Sequence, residues 1–161
     1  MSSPVLLQVD GDVTGTRAFT WEDLVAIDAQ WQISDVNQID ATKDGGAVWI
    51  RGILDKVKAH PESKYITLHS VRDDFHASLP LEAVLDRGMF IYRKKNQPLP
   101  VAAGGPIRFF IPDHTACHSG EIDECANVKY VDRIEFSQKK GFDNRPLDDD
   151  AHEALHQQEN L

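Results

Sequence analysis

Residues 104–112 read Gly-Gly-Pro-Ile-Arg-Phe-Phe-Ile-Pro, and residues 128–136 read Val-Lys-Tyr-Val-Asp-Arg-Ile-Glu-Phe. Each contains a short apolar run with the β-branched and aromatic character of a strand. The first run starts on a glycine pair that permits a tight turn or a close backbone approach to a ligand. Between the two lies the segment 113–127, which carries both cysteines of the chain, Cys117 and Cys125, with His114 and His118 beside the first.

Working outward, Val5–Val9 reads as a first strand and Thr20-Trp-Glu-Asp23 as a capped helix start with acids in its first turn. Trp31–Val36 reads as extended, and Ala47–Ile50 as a small strand that runs into a helix over 52–57, stopped by Pro61. Tyr65–Val71 and Phe75–Leu79 bracket the polar turn Arg72-Asp73-Asp74 as a hairpin. Pro80–Leu85 forms a short helix with proline at its first position, and Met89–Arg93 a further strand. Short strands outnumber short helices, which points to an α+β fold with mixed or mainly antiparallel sheets. A single domain is expected over residues 1–142. Residues 143–161, with six acids against one base, read as an acidic mobile tail.

Composition narrows the function classes. At 161 residues, with 41% hydrophobic and 27% charged residues, the chain can bury a core without staples. A net charge of −9 argues against a general nucleic-acid binder, which needs a basic face against phosphates. No stretch approaches the roughly 18–20 apolar residues of a membrane helix, so no membrane partner is expected. The opening residues lack a basic region and a long apolar run, which implies a cytoplasmic protein; a periplasmic one would follow if an export signal had been removed.

Six pieces, in order, carry a resemblance. They are Val48-Trp-Ile-Arg-Gly-Ile-Leu54, Ile66-Thr-Leu-His-Ser70, Ala77-Ser-Leu-Pro-Leu81, Asn96-Gln-Pro-Leu99, Gly104-Gly-Pro-Ile-Arg108 with Phe110-Ile-Pro112, and Val128-Lys-Tyr-Val-Asp-Arg-Ile-Glu135. Together they resemble the molybdopterin-binding domain of the sulfite oxidase family, including its small bacterial members. The resemblance implies that family's α+β fold. It also implies molybdenum held by a pterin dithiolene, a small anionic substrate or ligand, and a separate electron-transfer protein, since no haem domain is present. Two positions depart from the pattern. The family's metal-ligand cysteine lies shortly before the Trp-x-x-Gly motif, but residues 32–49 contain none, only Asp35 and Asp40, and a carboxylate replaces a thiolate poorly. Ala103 stands where many members carry His or Asn before the glycine. An oxidoreductase-like domain inactive for want of that thiolate is therefore one reading; a non-catalytic descendant binding a small anion or a protein partner is another.

The candidate cofactor-binding residues follow. Arg108 matches the family's arginine and offers a bidentate fork to a phosphate or oxyanion, or else a structural ion pair. Gly104 and Gly105 allow backbone to approach a ligand. Lys129 matches the lysine that lies near the pterin phosphate in the family. His69 and Ser70 end a buried strand as a polar pair able to face a cavity. His114, Cys117, His118 and Cys125 have the ligand types of a zinc site, although adjacent Cys-His and the lack of a Cys-x-x-Cys pair depart from the usual spacing. A Cys117–Cys125 disulfide, two reduced thiols and a redox module remain alternatives for the same loop.

Overall fold

The computed structural model describes residues 4–112 and 127–145. Its strands and helices follow in the order β1 (Val5–Gly11), β2 (Arg17–Thr20), α1 (Trp21–Val25), β3 (Gln32–Ile33), β4 (Gly46–Trp49), α2 (Ile50–Val57), β5 (Tyr65–Ser70), β6 (Phe75–Pro80), α3 (Leu81–Val84), β7 (Met89–Lys94), β8 (Gln97–Pro98), β9 (Arg108–Phe110) and β10 (Arg133–Ser137).

Two five-stranded sheets result. The first runs β2-β1-β10-β5-β6, with β1 parallel to β10 and every other pair antiparallel. The second runs β3-β4-β7-β8, and β9 pairs with the first half of β7. The expected α+β class with mixed sheets is what the chain adopts. Alternation in β5 sends Ile66 and Leu68 into the main core, where they meet Ile134 and Phe136 of β10, Leu79 of β6 and Leu7 of β1. Helix α2 adds Ile50, Ile53, Leu54 and Val57, the spacing of one apolar stripe.

Several local expectations shift. Thr20 caps α1 as expected, and Asp23 returns the bond in a full capping box. Yet Arg17–Thr20 is itself a strand, hidden in the sequence because it is four residues long and runs straight into the cap. The extended stretch expected over 31–36 shrinks to Gln32–Ile33, because Asp28 and Asp35 each cap a 3-10 turn on either side. Helix α2 ends at Lys58, in the left-handed conformation, ahead of Pro61. Pro80 is the N-cap of α3 rather than its first helical residue. The last strand begins at Arg133, since Tyr130 at φ +56° interrupts the extended run expected from Val128.

The chain continues on the fold past residue 142. Asp143 accepts from the Ser78 amide at 2.9 Å, and the Asn144 amide donates to the His76 carbonyl at 3.0 Å. Arg145, only 8% exposed, binds Asp143 with its Nη2 at 2.6 Å and its Nε at 3.0 Å, and also reaches the Ser78 carbonyl. Residues 141–145 thus form a strap along the outer edge of β6. Its polar residues look like a tail in sequence, yet an edge strand with unpaired amides gives them partners.

Candidate functional site

The site grows from a turn. Val101–Ala103 make one 3-10 turn that closes on Gly104 at φ +97°, a conformation that strains any residue with a Cβ. At Gly105 a Cβ would fall 1.9 Å from the Leu99 carbonyl oxygen, so only glycine fits there. The chain then enters β9 at Arg108. Three backbone bonds bind the second strand-like run alongside: Tyr130 N–H to the Gly104 carbonyl (2.9 Å), Val131 N–H to the Ile107 carbonyl (2.8 Å) and Phe109 N–H to the Val128 carbonyl (2.9 Å). This zipper delivers Lys129 to Gly104. The two stretches far apart in sequence therefore form one cradle.

The electrostatics of the cradle centre on Arg108. Arg108 is half-buried, and its Nε has no hydrogen-bond partner; among the described residues its one hydrogen bond is a long one from Nη1 to the Ala103 carbonyl, 3.5 Å. No carboxylate among the described residues pairs with it. Burial lowers its pKa, against an opposing influence from Tyr130. A partly desolvated guanidinium with an orphaned N–H is unfavourable unless an anion completes it. Around it, Lys129 is exposed, and the Arg72 guanidinium lies 4.2 Å over the Tyr130 ring as a cation–π pair. Two further buried oxygens lack partners, Ser70 Oγ and Asp132 Oδ1, although Asp132 Oδ2 accepts from the Val71 amide at 3.1 Å.

Of the expected residues, Gly104, Gly105, Arg108 and Lys129 come together. Ser70 is fully buried, on the alternate side of β5 from His69. Both ring nitrogens of His69 are engaged, Nδ1 with His76 at 2.8 Å and Nε2 with Glu135 at 3.1 Å, so the pair does not present two side chains to one cavity. His114, Cys117, His118 and Cys125 lie outside the described residues. Tyr130 and Arg72 escaped the sequence reading; their pairing depends on the left-handed backbone of Tyr130, which hydropathy does not reveal.

The segment expected to bear a metal-ligand cysteine is the β3–β4 connection. Asp35 Oδ1 there accepts from the amides of Asn37 (3.0 Å) and Gly45 (3.3 Å). Asp40 Oδ1 accepts from the amide of Thr42 (2.8 Å) and from its hydroxyl (2.5 Å), bonds that hold its pKa below the ordinary value. Both carboxylates thus fasten their own loop. Ser34, Asp35 and Gly45 also line a cleft of about 410 Å³, opposite Arg93 and Lys95 of the β7–β8 hairpin.

Among the described residues, then, a half-buried arginine without a carboxylate partner stands beside a glycine turn at the start of β9. The family model described as the oxidoreductase molybdopterin binding domain matches residues 4–144, and the chain belongs to that family, the sulfite-oxidase type its motifs resemble. It is a molybdopterin-binding oxidoreductase domain. No curated protein matches its sequence. Among solved structures it is similar to the sulfane dehydrogenase SoxCD from Paracoccus pantotrophus, at 18% identity and a TM-score of 0.61 over 83% of this chain, a likeness of fold. The chain spans 38% of that protein's chain. No helix among the described residues is long and apolar enough to cross a membrane.

Proposed function

We propose that this domain holds a molybdopterin by its phosphate end, with Arg108 and Lys129 as the cationic contacts and Gly104-Gly105 as the close backbone wall. The observation that carries this reading is the orphaned Arg108 Nε beside a glycine position that a Cβ would crowd. A planar guanidinium makes two parallel bonds to a phosphate, which satisfies Nε and one terminal nitrogen together. The cradle suits the anionic end of the cofactor. The metal end is a separate matter: no cysteine stands among the described residues, and Asp35 and Asp40 are engaged in their own loop.

When bound, the cofactor supplies two-electron oxidation–reduction at molybdenum. The chain's own part is to orient the pterin through Arg108, to keep Gly104 free of a side chain, and to concentrate anions near Arg72 and Lys129 in an otherwise acidic protein. A small anion is the substrate class this charge pattern favours, and a separate electron carrier would take the electrons. A thiolate ligand from within this sequence would have to be Cys117 or Cys125, its two cysteines. No zinc role is needed for that reading.

The test is metal and pterin content of protein purified from a molybdenum-replete host. Molybdenum and a fluorescent oxidised pterin, near one each per chain, are expected, with both strongly reduced by Arg108→Ala. Retained pterin with molybdenum lost in Cys117→Ser or Cys125→Ser identifies the ligand thiol. Absence of both from the wild type overturns the proposal and leaves a domain that binds some other anion.

A further inference from the structure

Away from the cradle, β5 and β6 place two histidines directly opposite each other, His69 against His76. Their Nδ1 atoms approach to 2.8 Å. The outer nitrogens are held by acids: His69 Nε2 lies 3.1 Å from Glu135 and His76 Nε2 lies 3.0 Å from Asp74. Both carboxylates can only accept. The Nδ1–Nδ1 contact needs a proton on one ring and a bare nitrogen on the other, so at least one of the two imidazoles is neutral while the contact is closed. Burial lowers the His69 pKa, outweighing the Glu135 hydrogen bond that raises it, and the charges of Arg133 and His76 add to the lowering. His69 is thus the neutral ring, donating Nε2–H to Glu135 and accepting at Nδ1 from His76.

The tolerance of this array is one-sided. The Asp74 end adapts: that side chain is 90% exposed, so His76 Nε2 can face either the carboxylate or water. The inner contact does not: a proton on both Nδ1 atoms sets N–H against N–H across 2.8 Å, and the contact must open. What it would open is the strap. The Phe142 ring packs edge-on to His76 with centroids 4.8 Å apart, the His76 amide donates to Asn144 Oδ1 at 2.8 Å, and Asn144 Nδ2 donates to the Asp74 carbonyl at 2.6 Å.

We infer that the His69–His76 pair is an acid-sensitive latch: one extra proton separates the rings and frees residues 141–145 from the edge of β6. The charged groups facing the pair are Asp74 from the hairpin turn, Glu135 and Arg133 from β10, and the Asp143–Arg145 clasp further along the strap. Arg133 is itself bound to Asp10 of β1 at 2.9 Å. For Asp143, burial favours the neutral acid, but the bonds from Arg145 and Ser78 prevail and hold its pKa below the ordinary aspartate value. The clasp consequently stays charged where histidines titrate. The sign follows from His69: its closed-state pKa is depressed, so the open state binds more protons and opening gains as pH falls below about 6.5. An opened strap bares the His76 and Ser78 amides, an unpaired sheet edge.

Amide exchange of His76, Ser78, Gly141 and Asn144, corrected for intrinsic rates, tests this between pH 7.5 and 5.5. Protection is expected to fall at least tenfold in the wild type and in His60→Gln, a distant histidine control. It is expected to become independent of pH in His69→Gln and His76→Gln. Imidazole nitrogen NMR of the wild type should show a single Nδ1 proton shared by the two rings at pH 7.5. Unchanged protection in the wild type overturns the latch, as do two Nδ1 protons with the strap still closed. A pH response that persists in both glutamine variants also overturns it. If those variants leave the strap open at every pH, the wild-type exchange and nitrogen spectra decide.

Discussion

Arg108 and Lys129 meet over one glycine: a Cβ at Gly104 would lie 3.1 Å from Arg108 Cδ and 3.2 Å from Lys129 Cγ. The turn that holds Gly104 at φ +97° is thus also the place where the two cations converge. Gly104→Ala is expected to lower unfolding free energy by about 1–2 kcal/mol through left-handed strain. It should also reduce pterin content, because the methyl pushes both side chains from their places. Urea unfolding and pterin fluorescence on the same preparation check the two effects together.

Arg108 separates binding from stability. Its guanidinium is partly desolvated and lacks a carboxylate partner among the described residues, so the ligand-free fold gains little from its charge. Arg108→Met keeps the stem's packing and removes the orphaned N–H. Its unfolding free energy without cofactor should stay within about 0.5 kcal/mol of the wild type or rise above it, while cofactor content falls. A large loss of stability in the ligand-free variant would show that Arg108 is structural.

Asp143 and Arg145 behave oppositely to that arginine. Their side chains are 11% and 7% exposed and bind each other directly. Asp143→Ala removes a buried carboxylate that accepts from both Arg145 and the Ser78 amide, and is expected to destabilise by about 1–3 kcal/mol. The pH dependence has a definite sign. The folded pKa of Asp143 is depressed, so its contribution is present above the ordinary aspartate value near 3.9 and is lost as pH falls through the lower folded value. Acid unfolding of Asp143→Ala should accordingly lack that component.

Ile134 lies in the strand between β1 and β5 and is fully buried. Ile134→Ala should destabilise by about 2–5 kcal/mol, set by how far Leu68 and Val9, its register partners, can close the cavity. Denaturant titration measures it directly.

How much of this was legible in the sequence depends on which force shapes each part. Apolar periodicity and turn residues reveal the β5–β6 hairpin, helix α2 and the strands around Gly104–Arg108, because burial drives them. The opposition of His69 and His76 is not among them: a three-residue turn over 72–74 would set His69 against Ala77, and the folded register sets it against His76. Hidden features depend on polar partners brought from a distance. Arg145 looks like tail until Ser78 and Asp143 surround it, and Tyr130 looks like strand until Gly104 draws its amide aside. The candidate cradle was read from motif order at four positions, whereas His69 and Ser70 were separated by the alternation of β5, which sends neighbours to opposite faces.

The parallel pairing of β1 with β10 has a consequence for synthesis. The middle strand of the first sheet is the last strand among the described residues, bounded by β1 on one side and β5 on the other. A nascent chain ending before residue 133 carries two hairpins, β1–β2 and β5–β6, with nothing to join them. The β1–β10 closure spans more than 120 positions, from Gln8 to Arg133, and such distant contacts form slowly. The first sheet can close only after nearly the whole domain has left the ribosome.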